Sequence, residues 1–160
     1  MLKTRLFSLC IALTLFVAAG CEATQAEVSE KAVIYENEEA GIQIFESGNW
    51  TLDAEVSTEP LNATFKQDDM RVIVSVIPSV KTLDQIKTEL NLDGDFIEMI
   101  DETKESLAFK LNQTENTRSD LFIEASEDKT LVLTFFTPVK EYQTNLKKIE
   151  EFRKSISPLY

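Results

Sequence analysis

Apolar and polar positions divide the chain into three stretches. Residues 6–20 (LFSLCIALTLFVAAG) form an apolar run broken only by Ser8 and Thr14. Residues 22–31 (EATQAEVSEK) are polar and lack aromatics, the pattern of a flexible tether. From Val33 to Ile156 apolar residues are dense and periodic, with no internal repeat and no low-complexity segment.

Within that last stretch the period changes repeatedly. Val33–Tyr35 and Gly41–Phe45 read as short strands, and Ser47-Gly48-Asn49 as a turn into Trp50. Thr51–Val56 and Ala63–Phe65 are strand candidates separated by a break at Pro60, and Gln67-Asp68-Asp69 is a hairpin turn. Arg71–Ile77 places Val72, Val74 and Val76 on one face and Ile73 and Ile77 on the other, which predicts a central strand covered on both sides. Thr82-Leu83-Asp84-Gln85 fits a capping box, and Leu83, Ile86 and Leu90 continue it as a helical stripe that Asn91–Gly94 ends. Phe96–Ile100 and Ser106–Leu111 predict strands, the second with Leu107, Phe109 and Leu111 inward. Asp120–Ala125 and Thr130–Thr137 predict a hairpin across Glu127-Asp128. Thr137 and Pro138 look like the cap and first position of a last helix. Its stripe is Tyr142, Leu146, Ile149, Phe152 and Ile156, with Pro158 as the stop. Runs of strands interrupted by single helices predict an α+β fold, an antiparallel β-sheet packed by helices.

The first stretch has a different character. Lys3 and Arg5 precede the apolar run with no acid among them, and the run is shorter than the roughly 20 residues a spanning helix needs. This is the form of a secretory signal. It ends in Val17-Ala18-Ala19-Gly20-Cys21, which resembles the lipobox of bacterial lipoproteins, although Ala18 stands where that motif favours Leu. The resemblance implies cleavage before Cys21, a diacylglyceryl group on its thiol and acylation of the new amino terminus. Two or three acyl chains hold where one would not. The expected division is therefore a lipoprotein signal peptide at 1–20, lipidated Cys21 and a tether at 21–32, and a single α+β domain at 33–160.

Composition narrows the chemistry. The chain has 16 basic and 28 acidic residues and no histidine, for a net charge of −12. Removing residues 1–20 takes two basic residues and no acid, which leaves −14. Without histidine there is no Ser-His-Asp triad, no Cys-His dyad and no His-ligated zinc or haem. A strongly acidic chain is a poor generic partner for nucleic acid. Cys10 leaves with the signal and Cys21 is taken by lipid, so the remaining domain has no thiol for a disulfide or a nucleophile.

Weighed singly, the remaining motifs read as structural. Asp68-Asp69, Asp93-Gly94-Asp95 and Asp101-Glu102 could supply oxygen ligands, but Gly94 arrives too early for an EF-hand loop, and turn aspartates are ordinarily solvated. Glu36-Asn37-Glu38-Glu39 is a solvated charge run. Lys147-Lys148 and Arg153-Lys154 lie off the apolar stripe of the last helix, where its dipole favours cations. Trp50 reads as core. Asn49, Asn62 and Asn112 match a glycosylation pattern that a bacterial lipobox makes irrelevant. Neither a metal nor a cofactor site is expected.

The order of elements also resembles the PsbP/Mog1-like superfamily over roughly Val33 to Tyr160. The resemblance rests on Gly41–Trp50, on Arg71–Leu90 with its strand-Pro78-helix order, and on Leu131–Ser155 with its strand-Thr137-Pro138-helix order. Many members carry a proline before the tryptophan, where this chain has Ser47-Gly48-Asn49. The resemblance implies a sandwich fold and a non-enzymatic accessory role. Photosynthetic members are extrinsic subunits that help retain inorganic cofactors, and a nuclear member binds a small GTPase. None of their functional residues matches by motif, so none is carried over.

The leading expectation is a lipid-anchored, non-enzymatic binding or accessory module with a protein partner. Its place would be the bacterial cell envelope, on the extracytoplasmic face of the cell membrane, or the outer membrane in a Gram-negative cell. The alternatives are a small-ligand or cation carrier and, last, a carboxylate-dependent hydrolase.

Overall fold

The computed structural model describes residues 31–56, 59–111, 116–126 and 128–159. Ten strands, among the described residues, build two antiparallel sheets. The small sheet runs β1 (Val33–Asn37), β2 (Ile42–Phe45) and β10 (Ile156–Pro158), with β2 in the middle. The large sheet contains β3 (Thr51–Val56), β4 (Leu61–Gln67), β5 (Met70–Ile77), β6 (Ile97–Glu102), β7 (Ser106–Leu111), β8 (Thr117–Ala125) and β9 (Thr130–Pro138). Its order is β3-β4-β5-β9-β8-β7-β6. Helices α1 (Leu83–Glu89) and α2 (Tyr142–Arg153) complete the chain.

The central strands follow from their residues. β5 is β-branched at most positions and pairs with β4 on one side and β9 on the other, in the register Val74↔Ala63 and Val74↔Leu133. One face carries Val72, Val74, Val76, Ala63, Phe65, Leu133 and Phe135, all buried. The small sheet, Trp50 and α2 add Ile42, Ile44, Ile149 and Phe152 to the same core. The opposite face buries Leu107, Phe109, Leu121, Ile123 and Val132 under Leu83, Ile86 and Leu92 from α1 and its exit turn. Ile73 and Ile77 on this face are only half-buried, because α1 lies over the β7–β8–β9 side. Both cores lie within the compact unit Lys31–Tyr160.

Turns and caps fall where residue chemistry places them. The β4–β5 hairpin turns through Asp68, whose φ of +53° is one that aspartate tolerates. The Thr82 hydroxyl accepts from the Gln85 amide at 3.4 Å, and the Gln85 side chain accepts from the Thr82 amide at 2.9 Å, a complete capping box. Each edge strand of the large sheet carries an irregularity in register, at Leu52/Ala54 in β3 and Met99/Asp101 in β6, together with acidic side chains. Both features discourage edge-to-edge pairing.

Three expectations are corrected. Thr137 and Pro138 do not open a helix. They end β9, paired with Arg118 and Thr117, and α2 begins only at Tyr142 after a single 3-10 turn. Cross-strand pairing with β8 prevails over the local cap, and the buried Thr137 hydroxyl caps nothing. Ile156 is not helical. The chain leaves α2 at Lys154, the Phe45 amide donates to the Ser155 carbonyl, and Ile156–Pro158 pairs with β2 as a third strand. Leu90 points to solvent, because α1 ends before it and Asn91 turns back with φ +53°, which sends Leu92 into the core instead.

Candidate functional site

A roomy concavity lies where the two sheets part beside the β8–β9 turn. It is a half-open groove of about 480 Å³. Its apolar wall comes from four separate strands, with Ile42 on β2, Val76 on β5, Leu131 on β9 and Ile156 on β10. Glu124, Ser126, Asp128 and Lys129 stand along its other side. The volume and the mixture of an apolar wall with a few polar groups are those of small-ligand sites.

Local structure fixes this lining. The β1–β2 connection closes on Gly41, whose φ of +71° lets its amide donate to the Asn37 carbonyl at 2.9 Å. The Asn37 side chain accepts from the Ala40 amide at 2.8 Å. Lys129 then spans the two sheets, donating from Nζ to the Ala40 carbonyl at 3.2 Å. Buried Thr130 beside it accepts from the Lys81 amide and donates to the Ser79 carbonyl, both at 2.8 Å. The Ser126 hydroxyl donates to the Lys129 carbonyl at 3.3 Å, which leaves it tied to its own turn. A smaller dent adjoins the groove across Lys129 and adds Glu39 and Glu59 to its surroundings.

A second cluster sits on the same sheet face under α2. The buried Asp120 carboxylate accepts from Arg118 Nε at 2.9 and 3.1 Å and from Arg118 Nη2 at 2.8 Å. The Tyr142 hydroxyl donates to Asp120 Oδ1 at 3.4 Å, and the guanidinium lies 3.8 Å from the centre of the Tyr142 ring. Burial, with the Asp120 charge beside it, raises the Tyr142 phenol above its ordinary value. Burial works to lower the Arg118 guanidinium, but the bonds to Asp120 outweigh it and the net shift is upward. The carboxylate is held by Nε and Nη2 of Arg118 and by the Tyr142 hydroxyl, so the cluster works as a clasp between β8 and α2. Arg153 makes a similar contact from the helix end. Its guanidinium stacks 3.9 Å from the Phe122 ring and approaches Glu150 at 3.3 Å and Glu124 at 3.7 Å.

Cys21 lies outside the described residues. The acidic pairs expected at turns stand beside lysines. Asp68 is 2.9 Å from Lys148, and Lys87 is 2.9 Å from Glu102 and 3.6 Å from Asp93. The hydrogen bond to Glu102, against a smaller opposing effect of burial, raises the Lys87 ammonium. No group of three metal-ligating side chains occurs among the described residues. Trp50 is core, 4 % exposed, with its ring 4.8 Å from that of Phe152. Among the described residues no helix is long and apolar enough to cross a membrane.

The groove had no local signal, since its walls come from four segments spread over more than a hundred residues of the chain. The clasp did have one. Alternation puts Arg118, Asp120, Phe122 and Glu124 on one face of β8, and charges on an inward face invite a search for partners.

The architecture, a seven-stranded antiparallel sheet with a helix on each face and a small sheet closing one side, is the PsbP/Mog1-like α+β fold. Among solved structures the chain is similar to cyanobacterial PsbP (CyanoP) from Synechocystis sp. PCC 6803, with a TM-score of 0.53 and 13% identity over 87% of this chain and 99% of that one. It is also similar to a single-site variant of the protein Mog1, with a TM-score of 0.50 and 10% identity over 81% of this chain and 96% of that one. The Ran-binding protein Mog1p of Saccharomyces cerevisiae superposes with a TM-score of 0.49 and 10% identity over 81% and 96% of the two chains. Neither a model of a protein family nor a curated protein matches by sequence.

Proposed function

We propose that this chain is a lipid-anchored accessory module of the bacterial envelope that works by binding rather than by catalysis. The observation that carries the binding half is the groove. An aliphatic wall with a sparse polar side suits recognition, and its Ser126 hydroxyl is bonded to a carbonyl rather than to a base. Of the exposed apolar residues, Leu52, Val56, Met99 and Ile100 sit on edge strands whose bulges and acids discourage strand-to-strand docking, and the groove therefore favours a small ligand. The address rests on the lipobox-like Ala18-Ala19-Gly20-Cys21. The fold, shared with PsbP and Mog1 proteins, suits an accessory role.

The test uses the full chain in a bacterial host. Metabolic labelling with an alkyne fatty acid should mark the wild type, and Cys21→Ala should abolish the label and leave uncleaved precursor. Labelling that survives Cys21→Ala overturns the anchor. Hydrolysis of a glycoside or ester panel that Glu124→Gln abolishes would make the groove catalytic and overturn the binding reading.

A further inference from the structure

Resting on the groove as a binding site, we propose that its ligand is an amphiphilic cation, an aliphatic body carrying one protonated amine or quaternary ammonium group. Size is the first ground. A methylene occupies about the volume of a water molecule, about 30 Å³, so a groove of 480 Å³ admits a body of about fifteen heavy atoms. The wall of Ile42, Val76, Leu131 and Ile156 offers that body aliphatic surface and no hydrogen-bonding side chain.

Charge is the second ground. Four carboxylates, Glu39, Glu59, Glu124 and Asp128, surround the groove and its adjoining dent. Two cations stand beside them, Lys129, which donates to the neutral Ala40 carbonyl and keeps its charge, and Arg153, which is shared between Glu124 and Glu150, so the four carboxylates remain in excess. An anionic amphiphile would meet a negative rim, and a neutral one would gain from burial alone. An ammonium group gains from both, its tail against the wall and its charge between Glu124 and Asp128, with an attraction that salt weakens.

The experiment uses Lys31–Tyr160, which holds both cores, and isothermal titration below micellar concentrations. The probes are decylammonium, decanoate and 1-decanol, which share one tail and differ in charge. Decylammonium should bind saturably with one-to-one stoichiometry and about tenfold or more tighter than decanoate. Glu124→Gln combined with Asp128→Asn should weaken decylammonium about tenfold and leave 1-decanol unchanged. Both side chains are exposed, so the unliganded variant should melt as the wild type does. Ala125→Arg, at an exposed position on the groove wall, should abolish decylammonium binding by bulk and charge. Equal affinity for decanoate and decylammonium, an unchanged affinity in the double variant, or binding that never saturates would each overturn the proposal. Fatty-acid labelling of Cys21 and the hydrolysis panel are independent of probe selectivity, so failure here and failure of the binding-module reading are read apart.

Discussion

Removing the Phe152 ring should be the most damaging single truncation in α2. Phe152 is fully buried, and its ring centre lies 4.8 Å from Trp50, 5.6 Å from Phe65 and 5.9 Å from Phe135. Truncating a buried phenylalanine to alanine costs about 3–5 kcal/mol through lost transfer energy and the cavity left behind. Aromatic pairs add about 0.5–1.5 kcal/mol each beyond area. The surrounding rings belong to three different strands or turns and cannot close the gap together, so Phe152→Ala belongs near 5 kcal/mol, about the upper end of that range. Against a typical stability of about 5–15 kcal/mol, that is a large share. The assay is urea unfolding of Lys31–Tyr160, followed by circular dichroism and by Trp50 fluorescence. The expected result is a lower midpoint with an unchanged slope. Leu90→Ala serves as the control. Leu90 is 53 % exposed, and its loss should stay within about 0.5 kcal/mol. A cost for Phe152→Ala below about 1.5 kcal/mol, far under the usual range, would refute the packing argument. If the variant also lost liposome flotation shown by the wild-type fragment, α2 would be an interfacial helix instead.

Two further outcomes follow from the clasp and the tyrosines. Asp120→Asn leaves the Arg118 guanidinium without its carboxylate and should cost about 2–4 kcal/mol in urea unfolding, discounted from the fully buried case because Arg118 keeps a fifth of its side chain exposed. The double change Arg118→Met, Asp120→Leu should recover most of that loss, and failure to recover would point to a role beyond pairing. Tyr142 is raised by burial and by Asp120. Tyr35 is raised by burial, against an opposing bond from Asn37, and Glu55 adds to the rise. A folded value above the unfolded one of about 10 means that the stabilisation is complete below pH of about 10 and fades as pH rises through the folded values. Phenolate absorbance should therefore show late-titrating tyrosines in the folded fragment, one fewer in Tyr142→Phe. Titration of both at the ordinary phenol value would contradict the burial described here.

Local periodicity was enough to specify much of this protein. Alternation in Arg71–Ile77 and Ser106–Leu111, the capping box at Thr82 and the hairpin bounded by Ala125 and Thr130 are written in neighbouring residues, and the structure keeps each of them. These features depend on backbone geometry and on contacts within a few positions, so sequence alone resolves them. Two of the misreadings share one cause. Thr137-Pro138 and Ile156 carry local signals equally good for a helix, and only the pairing of β9 with β8 and of β10 with β2 selects the strand. Leu90 and Leu92 compete for one core position, and the left-handed Asn91 decides between them. The groove belonged to tertiary structure altogether. Ala40–Ile42, Val76, Glu124–Leu131 and Ile156–Pro158 meet only because β10 returns to the small sheet, and no spacing along the chain encodes a contact that the last strand closes.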